Sequence, residues 1–360
     1  MRIKYYLNFV DESRHSMNMY GEQLISHQSK MNKDIEVGFY KPTIDNFSKI
    51  ILSKKWKMRY LRYYSYSRQV KILSQHEIAH ICDHQYAHLY PHLNSKLKFI
   101  TVHDLVPLVF QKKLNKDPKL LKYSLKHLKF FTKVFTISNN TKKDILKFTD
   151  CPESKIKVIY RSVENEFNTN PIDKKTIAQK YNIPTDKKKI LISGNIFYKN
   201  NDISYAVFEK LYKINKDIVL VHIGSESFRN SNLEKFGKNL IQIPYLKRSE
   251  ISDIYKIIDI LLYPSIYEGF GMPLLEALSS GKPIVCSNNS SIPEVVGDAA
   301  LTTEFDNVDQ FVNNINNLLN NKELYKKMSL KSLNRAEFFN IDKFHKNLIN
   351  IYKEELSKGF

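Results

Sequence analysis

The chain has 360 residues, 42% of them hydrophobic and 12% aromatic, and a formal net charge of +19. That length suits two domains with a core each, and that apolar content excludes a disordered chain. No apolar run approaches the roughly 18 residues that a membrane-spanning helix needs. Cys82, Cys151 and Cys286 lie far apart with neither metal nor disulfide spacing, so reduced thiols in a cytoplasm are expected.

The opening residues MRIKYYLNFV are too short and too polar for a signal peptide and read as a first strand over 3–10. Further strands are expected at 35–40, 77–82, 98–103 and 133–137, with 158–159 after them. Helical patterns occupy 20–28 and 118–131 between these strands. A polar stretch beginning at Asn170-Pro171 leads to a new strand at 190–193. The alternation then repeats, with strands at 218–223, 240–243, 259–263 and 284–286 and helices over 308–320 and 322–338. Strands and helices alternating at this period argue for parallel sheets covered on both faces.

Charge divides the two halves. Residues 1–170 hold 30 Lys and Arg against 15 Asp and Glu, and residues 171–360 hold 26 against 22. The stretch 46–76 contains no acidic residue, yet it interleaves Lys54, Lys55, Lys57, Arg59, Arg62, Arg68 and Lys71 with Trp56, Tyr60, Tyr63, Tyr64 and Tyr66. Lys119, Lys122, Lys126, Lys129 and Lys133 repeat at helical spacing further on. Together they suit the headgroup zone of an anionic membrane, although a solvated helix face or RNA would draw the same residue types. His76, His80, His84, His88 and His92 recur every four residues and on one helix would form a metal stripe. Residues 77–82 alternate like a strand, which breaks such a helix, so no metal is expected there.

The most informative segment is 263–300, YPSIYEGFGMPLLEALSSGKPIVCSNNSSIPEVVGDAA. Glu268 and Glu276 stand eight apart across Gly269-Phe270-Gly271-Met272-Pro273, between a buried strand and a helix that Pro273 opens. Glycines let such a turn approach a ligand closely, helix-start amides favour an anion, and carboxylates accept from polyol hydroxyls. A phosphate flanked by polyols describes a nucleotide sugar.

This segment resembles the donor signature of the retaining GT-B glycosyltransferases of family 4, with Glu-x7-Glu at Glu268 and Glu276. The likeness continues through Gly281-Lys282-Pro283-Ile284-Val285 and Pro293-Glu294-Val295. It implies two Rossmann-like, doubly wound parallel-sheet domains with a cleft between them. The acceptor-side domain would span 1–170 plus a crossing helix at about 342–356, and the donor domain 171–341. Gly194-Asn195 with Lys199 is similar to the family's phosphate turn, which carries Lys199 over as a diphosphate ligand. Asn195 stands where many members have arginine, and the interval to Lys199 is one residue short. Thr101-Val102-His103-Asp104 resembles the family's His-Asp segment and carries His103 over as a catalytic residue. Two departures stand out: residues 11–20 lack the Gly-rich loop, and Arg161-Ser162-Val163-Glu164 replaces an Asn-Gly-Val-Asp turn.

The resemblance implies metal-independent, retaining transfer of a hexose such as mannose or glucose from a GDP- or UDP-sugar, with no cofactor. The acceptor would be lipid-linked or a polysaccharide, the location cytoplasmic or peripheral on the inner membrane face, and no nucleic acid is expected as a partner. Glu268 would hold hydroxyls of the transferred sugar and Glu276 the ribose, while Lys199 and the backbone of 269–272 neutralise the diphosphate. The leaving phosphate oxygen would take the acceptor's proton. A GT-B-shaped nucleotide-sugar epimerase and a nucleic-acid-binding protein are the alternatives. The latter leaves Glu268 and Glu276 unexplained, since carboxylates repel phosphate backbones.

Overall fold

Alternating strands and helices assemble into two sheets of six strands, and every recorded pairing is parallel. The computed structural model describes residues 1–9, 15–31, 34–73, 75–115, 117–224 and 231–358. The chain divides into two units, Met1–Tyr160 with Asp342–Phe360, and Arg161–Ile341.

In the first unit the strands are β1 (Arg2–Tyr6), β2 (Glu36–Tyr40), β3 (His76–Ile81), β4 (Ser95–Val102), β5 (Lys133–Thr136) and β6 (Ile156–Val158), in the spatial order β2-β1-β3-β4-β5-β6. Successive side chains of a strand point to opposite faces. Tyr6, Ile100 and Val134 therefore enter one core, and their neighbours Tyr5, Phe99 and Phe135 enter the other. The helix Ile341–Ser357 gives Phe344, Leu348, Ile349 and Tyr352 to that second core, so the crossing segment belongs to the first unit.

The second unit contains β7 (Lys188–Ser193), β8 (Ile218–Ile223), β9 (Leu240–Ile243), β10 (Ile260–Tyr263), β11 (Ile284–Ser287) and β12 (Leu301–Thr303), in the order β12-β11-β10-β7-β8-β9. All six residues of β8 are buried, as helices on both faces of a parallel sheet require. From β7 the chain steps outward to β9, then returns to β10 on the other side of β7. The order therefore reverses between β7 and β10, where ligands bind beyond the carboxyl ends of the strands in open α/β sheets.

Several expectations need correction. The compact units meet at Tyr160–Arg161, and Glu164 pairs with Arg248 within the second of them. The lysine row is not one helix: helix Lys119–Leu125 stops, a 3₁₀ turn covers Leu128–Phe130, and Lys133 begins β5, 3.7 Å from Glu355. The edge strand β12 was not anticipated. Of the stretch expected to lack a Gly-rich loop, residues 11–14 lie outside the described residues, as does Val10 of the first expected strand. Gly21 lies within the helix His15–Met31, where a Cβ would run into Leu7 Cδ2, so it serves close helix packing.

The histidine row is split as its alternation suggests. His76 and His80 lie in β3 and His84, His88 and His92 in a 3₁₀ segment. His80 Nε2 lies 2.8 Å from the Thr101 hydroxyl and its Nδ1 meets the Tyr352 hydroxyl, while burial pushes the ring down to about 3. Among the described residues no group of three or more His, Cys, Asp or Glu could hold a metal ion.

Candidate active site

Two turns, one after β7 and one after β10, carry most of the expected donor residues. The first needs Gly194, whose φ of +88° is a conformation that side chains rarely adopt. A Cβ there would also meet the Lys199 side chain at 3.2 Å. The Gly194 carbonyl lies 2.9 Å from Asn201 Nδ2 and 2.9 Å from His222 Nε2. The Tyr205 hydroxyl lies 2.8 Å from Nδ1 of the same ring. A neutral His222 satisfies both, donating from Nε2 and accepting at Nδ1, and burial lowers its pKa in keeping with that. Asn195 is exposed at the bend.

The two turns are stitched together. Asn200 Nδ2 donates to the carbonyls of Pro264 at 3.2 Å and Phe305 at 2.9 Å, and the Ile266 amide donates to the Tyr198 carbonyl at 2.8 Å. Lys199 is thereby held over the second turn. Its ammonium lies 2.8 Å from Glu268 Oε1, 2.6 Å from the Tyr263 hydroxyl and 4.7 Å from the centre of the Tyr263 ring. The same Glu268 oxygen accepts from Ser265 Oγ at 2.6 Å, and the Glu268 amide donates to Ser290 Oγ at 2.8 Å. Burial and the adjacent Glu268 charge push the Tyr263 phenol well up, so it remains a protonated hydroxyl.

Gly271, at φ +97°, turns the chain into the helix Met272–Ser279 with Pro273 in its first turn. Gly269 and Met272 are half-buried, while Phe270 is buried edge-on against Phe339 at 5.7 Å. One turn further on, Glu276 is 4% exposed. Its Oε1 accepts from Arg248 Nη1 at 2.5 Å, and Arg248 Nη2 donates to Glu164 Oε2 at 2.7 Å. The guanidinium also lies 4.5 Å over the Phe167 ring. Burial alone would lower the Arg248 pKa, but the two carboxylates outweigh it and hold the group charged.

The second unit thus gathers Gly194, Asn195, Lys199, Glu268, Gly269, Phe270, Gly271, Met272 and Glu276 around the β7 and β10 turns. His103 belongs to the first unit, just beyond β4, 4% exposed with Nε2 2.8 Å from the Cys82 carbonyl. Asp104 Oδ1 accepts from the Val106 amide at 3.1 Å and so anchors a turn. Arg248, Ser265 and Glu164 were not singled out as site residues from the sequence. No local pattern marks Arg248, whose partners are 28 and 84 residues away.

Breaking this triad is expected to be costly. Arg248→Met leaves the buried Glu276 carboxylate without its cation, a loss of about 3 kcal/mol for a buried pair with one partner removed. Denaturant unfolding should show that loss, with Arg248→Lys intermediate because a lysine cannot fork to two carboxylates. Unchanged stability in Arg248→Met contradicts the triad.

Residues 173–335 match the family model for glycosyl transferases group 1. In sequence the chain is similar to the O-antigen chain mannosyltransferase B of Escherichia coli, 26% identical over 235 residues that cover 61% of this chain and 60% of that protein. The chain spans less than two thirds of the length of the first relatives it matches in sequence. In structure it is similar to sucrose-phosphate synthase from Thermosynechococcus elongatus, with a TM-score of 0.79, 13% identity and 100% of both chains covered. A structure of Anabaena HepE in complex with UDP-glucose matches with a TM-score of 0.75, 13% identity and 100% of both chains covered. Identities this low speak to the fold alone. The second unit therefore carries a glycosyl transferases group 1 domain, and the two parallel sheets with their helices match GT-B glycosyltransferase structures.

Proposed function

We propose that the protein is a retaining, metal-independent glycosyltransferase that moves a hexose from a nucleotide sugar to a lipid-linked or polysaccharide acceptor. The observation that carries this reading is the Lys199–Glu268 pair, seated where the order of the second sheet reverses. Lys199 supplies a positive charge beside the Gly194 turn, and the first-turn amides of helix Met272–Ser279 add partial charge of the same sign. Both suit a departing diphosphate. Glu268 accepts from hydroxyls of the transferred sugar, and Glu276 accepts from the ribose. The leaving phosphate oxygen receives the acceptor's proton on the face it vacates. His103 serves the acceptor side.

The similarity to an O-antigen chain mannosyltransferase supports mannose as the sugar and a polysaccharide or its lipid-linked precursor as the acceptor. The excess of cations in the first 170 residues supports peripheral attachment to an anionic membrane face on the cytoplasmic side. Among the described residues no helix is long and apolar enough to cross a membrane.

A donor panel of GDP-mannose, GDP-glucose, UDP-glucose and UDP-galactose, with products resolved with and without acceptor, tests the reading. Nucleoside diphosphate release without isomerised sugar is expected, whereas an isomerised donor in the absence of acceptor would indicate an epimerase. Glu276→Ala removes a charge-assisted hydrogen bond of roughly 1.5–3 kcal/mol and is expected to weaken nucleotide binding about tenfold or more. Equal affinity for wild type and variant removes the ribose role. Because Lys199 and helix-start amides carry the phosphate charge, turnover is expected to persist in EDTA. Loss in EDTA that Mn²⁺ or Mg²⁺ restores contradicts metal independence.

A further inference from the structure

The loop that follows β11 carries the run Ser287-Asn288-Asn289-Ser290-Ser291, and its serines close on the turn after β10. Ser290 Oγ accepts from the Glu268 amide at 2.8 Å. The buried Ser291 hydroxyl donates to the carbonyls of Glu268 and Phe270, each at 3.0 Å. Ser287 Oγ donates to the carbonyl of Ser265, the residue whose own hydroxyl holds Glu268 Oε1. Glu268 is thus held twice over. This loop holds its backbone, while Lys199 and Ser265 hold its carboxylate.

Ser290 departs from its local preference. Among the described residues, the non-glycine residues with a left-handed φ are Asn115, Asn182, Asn200 and Ser290. Three are asparagine, whose short polar side chain tolerates that region. Ser290 is the exception, at φ +53°. Glycine would adopt this φ without steric cost, but glycine has no hydroxyl for the Glu268 amide. The conformation is imposed from both sides: the Asn288 amide donates to the Thr303 carbonyl at 3.0 Å, and the Ile292 amide to the Asn289 carbonyl at 3.1 Å. Backbone strain over-determined in this way clusters at functional sites. A carboxylate also follows its own backbone, and the turn after Glu268, with Gly269 and Gly271, has little stiffness of its own. A misplacement of about 1 Å near a reacting group can cost about 10²-fold in rate. We propose that Ser290 is a positioning residue, which through the Glu268 amide fixes where that carboxylate meets the hydroxyls of the transferred sugar. The inference rests on the proposed donor role of Glu268 and adds a residue that acts through the backbone alone.

Two substitutions separate positioning from folding. Ser290→Gly and Ser290→Ala both delete the acceptor, but only glycine relieves the φ. With GDP-mannose and the other donors of the panel, turnover at saturation should fall about tenfold in both variants, a fraction of the loss that a misplaced group can cause. Thermal stability should divide them, with Ser290→Gly melting above Ser290→Ala. Activity then tracks the hydroxyl while stability tracks the backbone, which a merely structural role would not produce. Affinity for GDP and UDP, measured by calorimetry, should stay at the wild-type value. In a Glu268→Ala background Ser290→Gly should cause no further loss, since its effect passes through that carboxylate. Asn182→Gly relieves a similar φ of +54° outside this turn and should leave turnover unchanged. Wild-type turnover in Ser290→Gly, a loss confined to Ser290→Ala, weakened GDP or UDP binding, or a further loss in the Glu268→Ala background overturns the proposal. Full turnover in Glu268→Ala would instead remove the donor role of Glu268, whereas an impaired Glu268→Ala beside an unimpaired Ser290→Gly overturns the positioning alone.

Discussion

Lys199→Ala is expected to slow sugar transfer by about 10²-fold or more, the scale seen when one preorganised charge stabiliser is removed from a transition state. The expectation rests on how the ammonium is held. Glu268 and the Tyr263 hydroxyl fix it at 2.8 and 2.6 Å, and the chain around it is tied to the β10 turn by Asn200. A charge already in place costs little reorganisation when the diphosphate departs. The loss should therefore fall on turnover under saturating donor, with a smaller change in nucleotide affinity. Full activity in Lys199→Ala removes the lysine from the chemistry.

Glu268→Ala is expected to lower turnover by roughly 10- to 100-fold, from the loss of one charge-assisted acceptor worth about 1.5–3 kcal/mol. It also strips Lys199 of its counter-ion in a place where the carboxylate is only 7% exposed. The two residues act as one unit, so the double variant should lose much less than the product of the single losses. Fully multiplicative losses would separate their roles and contradict the pairing. Melting curves of all three variants distinguish lost chemistry from lost folding.

The parts of this site that could be read from sequence are those whose signal is local. Glu268, Gly271 and Glu276 share one strand–turn–helix, and the turn glycine and helix-opening proline announce its geometry. Strands buried on both faces, such as β8, read as short apolar runs. What escaped is what depends on long-range closure. Arg248 looks like any surface arginine until Glu164 and Glu276 arrive from elsewhere in the chain. The three-residue β12 has only one buried position and so no period to detect. The lysine row failed for the opposite reason, since a regular spacing continued across a helix end into β5 and only the backbone reveals the break.

The order in which the chain leaves the ribosome meets an obstacle in the discontinuity of the first unit. Nascent domains generally fold as units, the N-terminal one first. Here Phe344, Leu348, Ile349 and Tyr352 complete a core that Tyr5 and Phe99 begin, so that core waits for the last segment to emerge. Residues 161–341 are contiguous and need no such wait. The later-synthesised unit can therefore reach its native state before the earlier one, and an arrested chain ending near residue 341 should hold a protease-resistant second unit attached to an incomplete first.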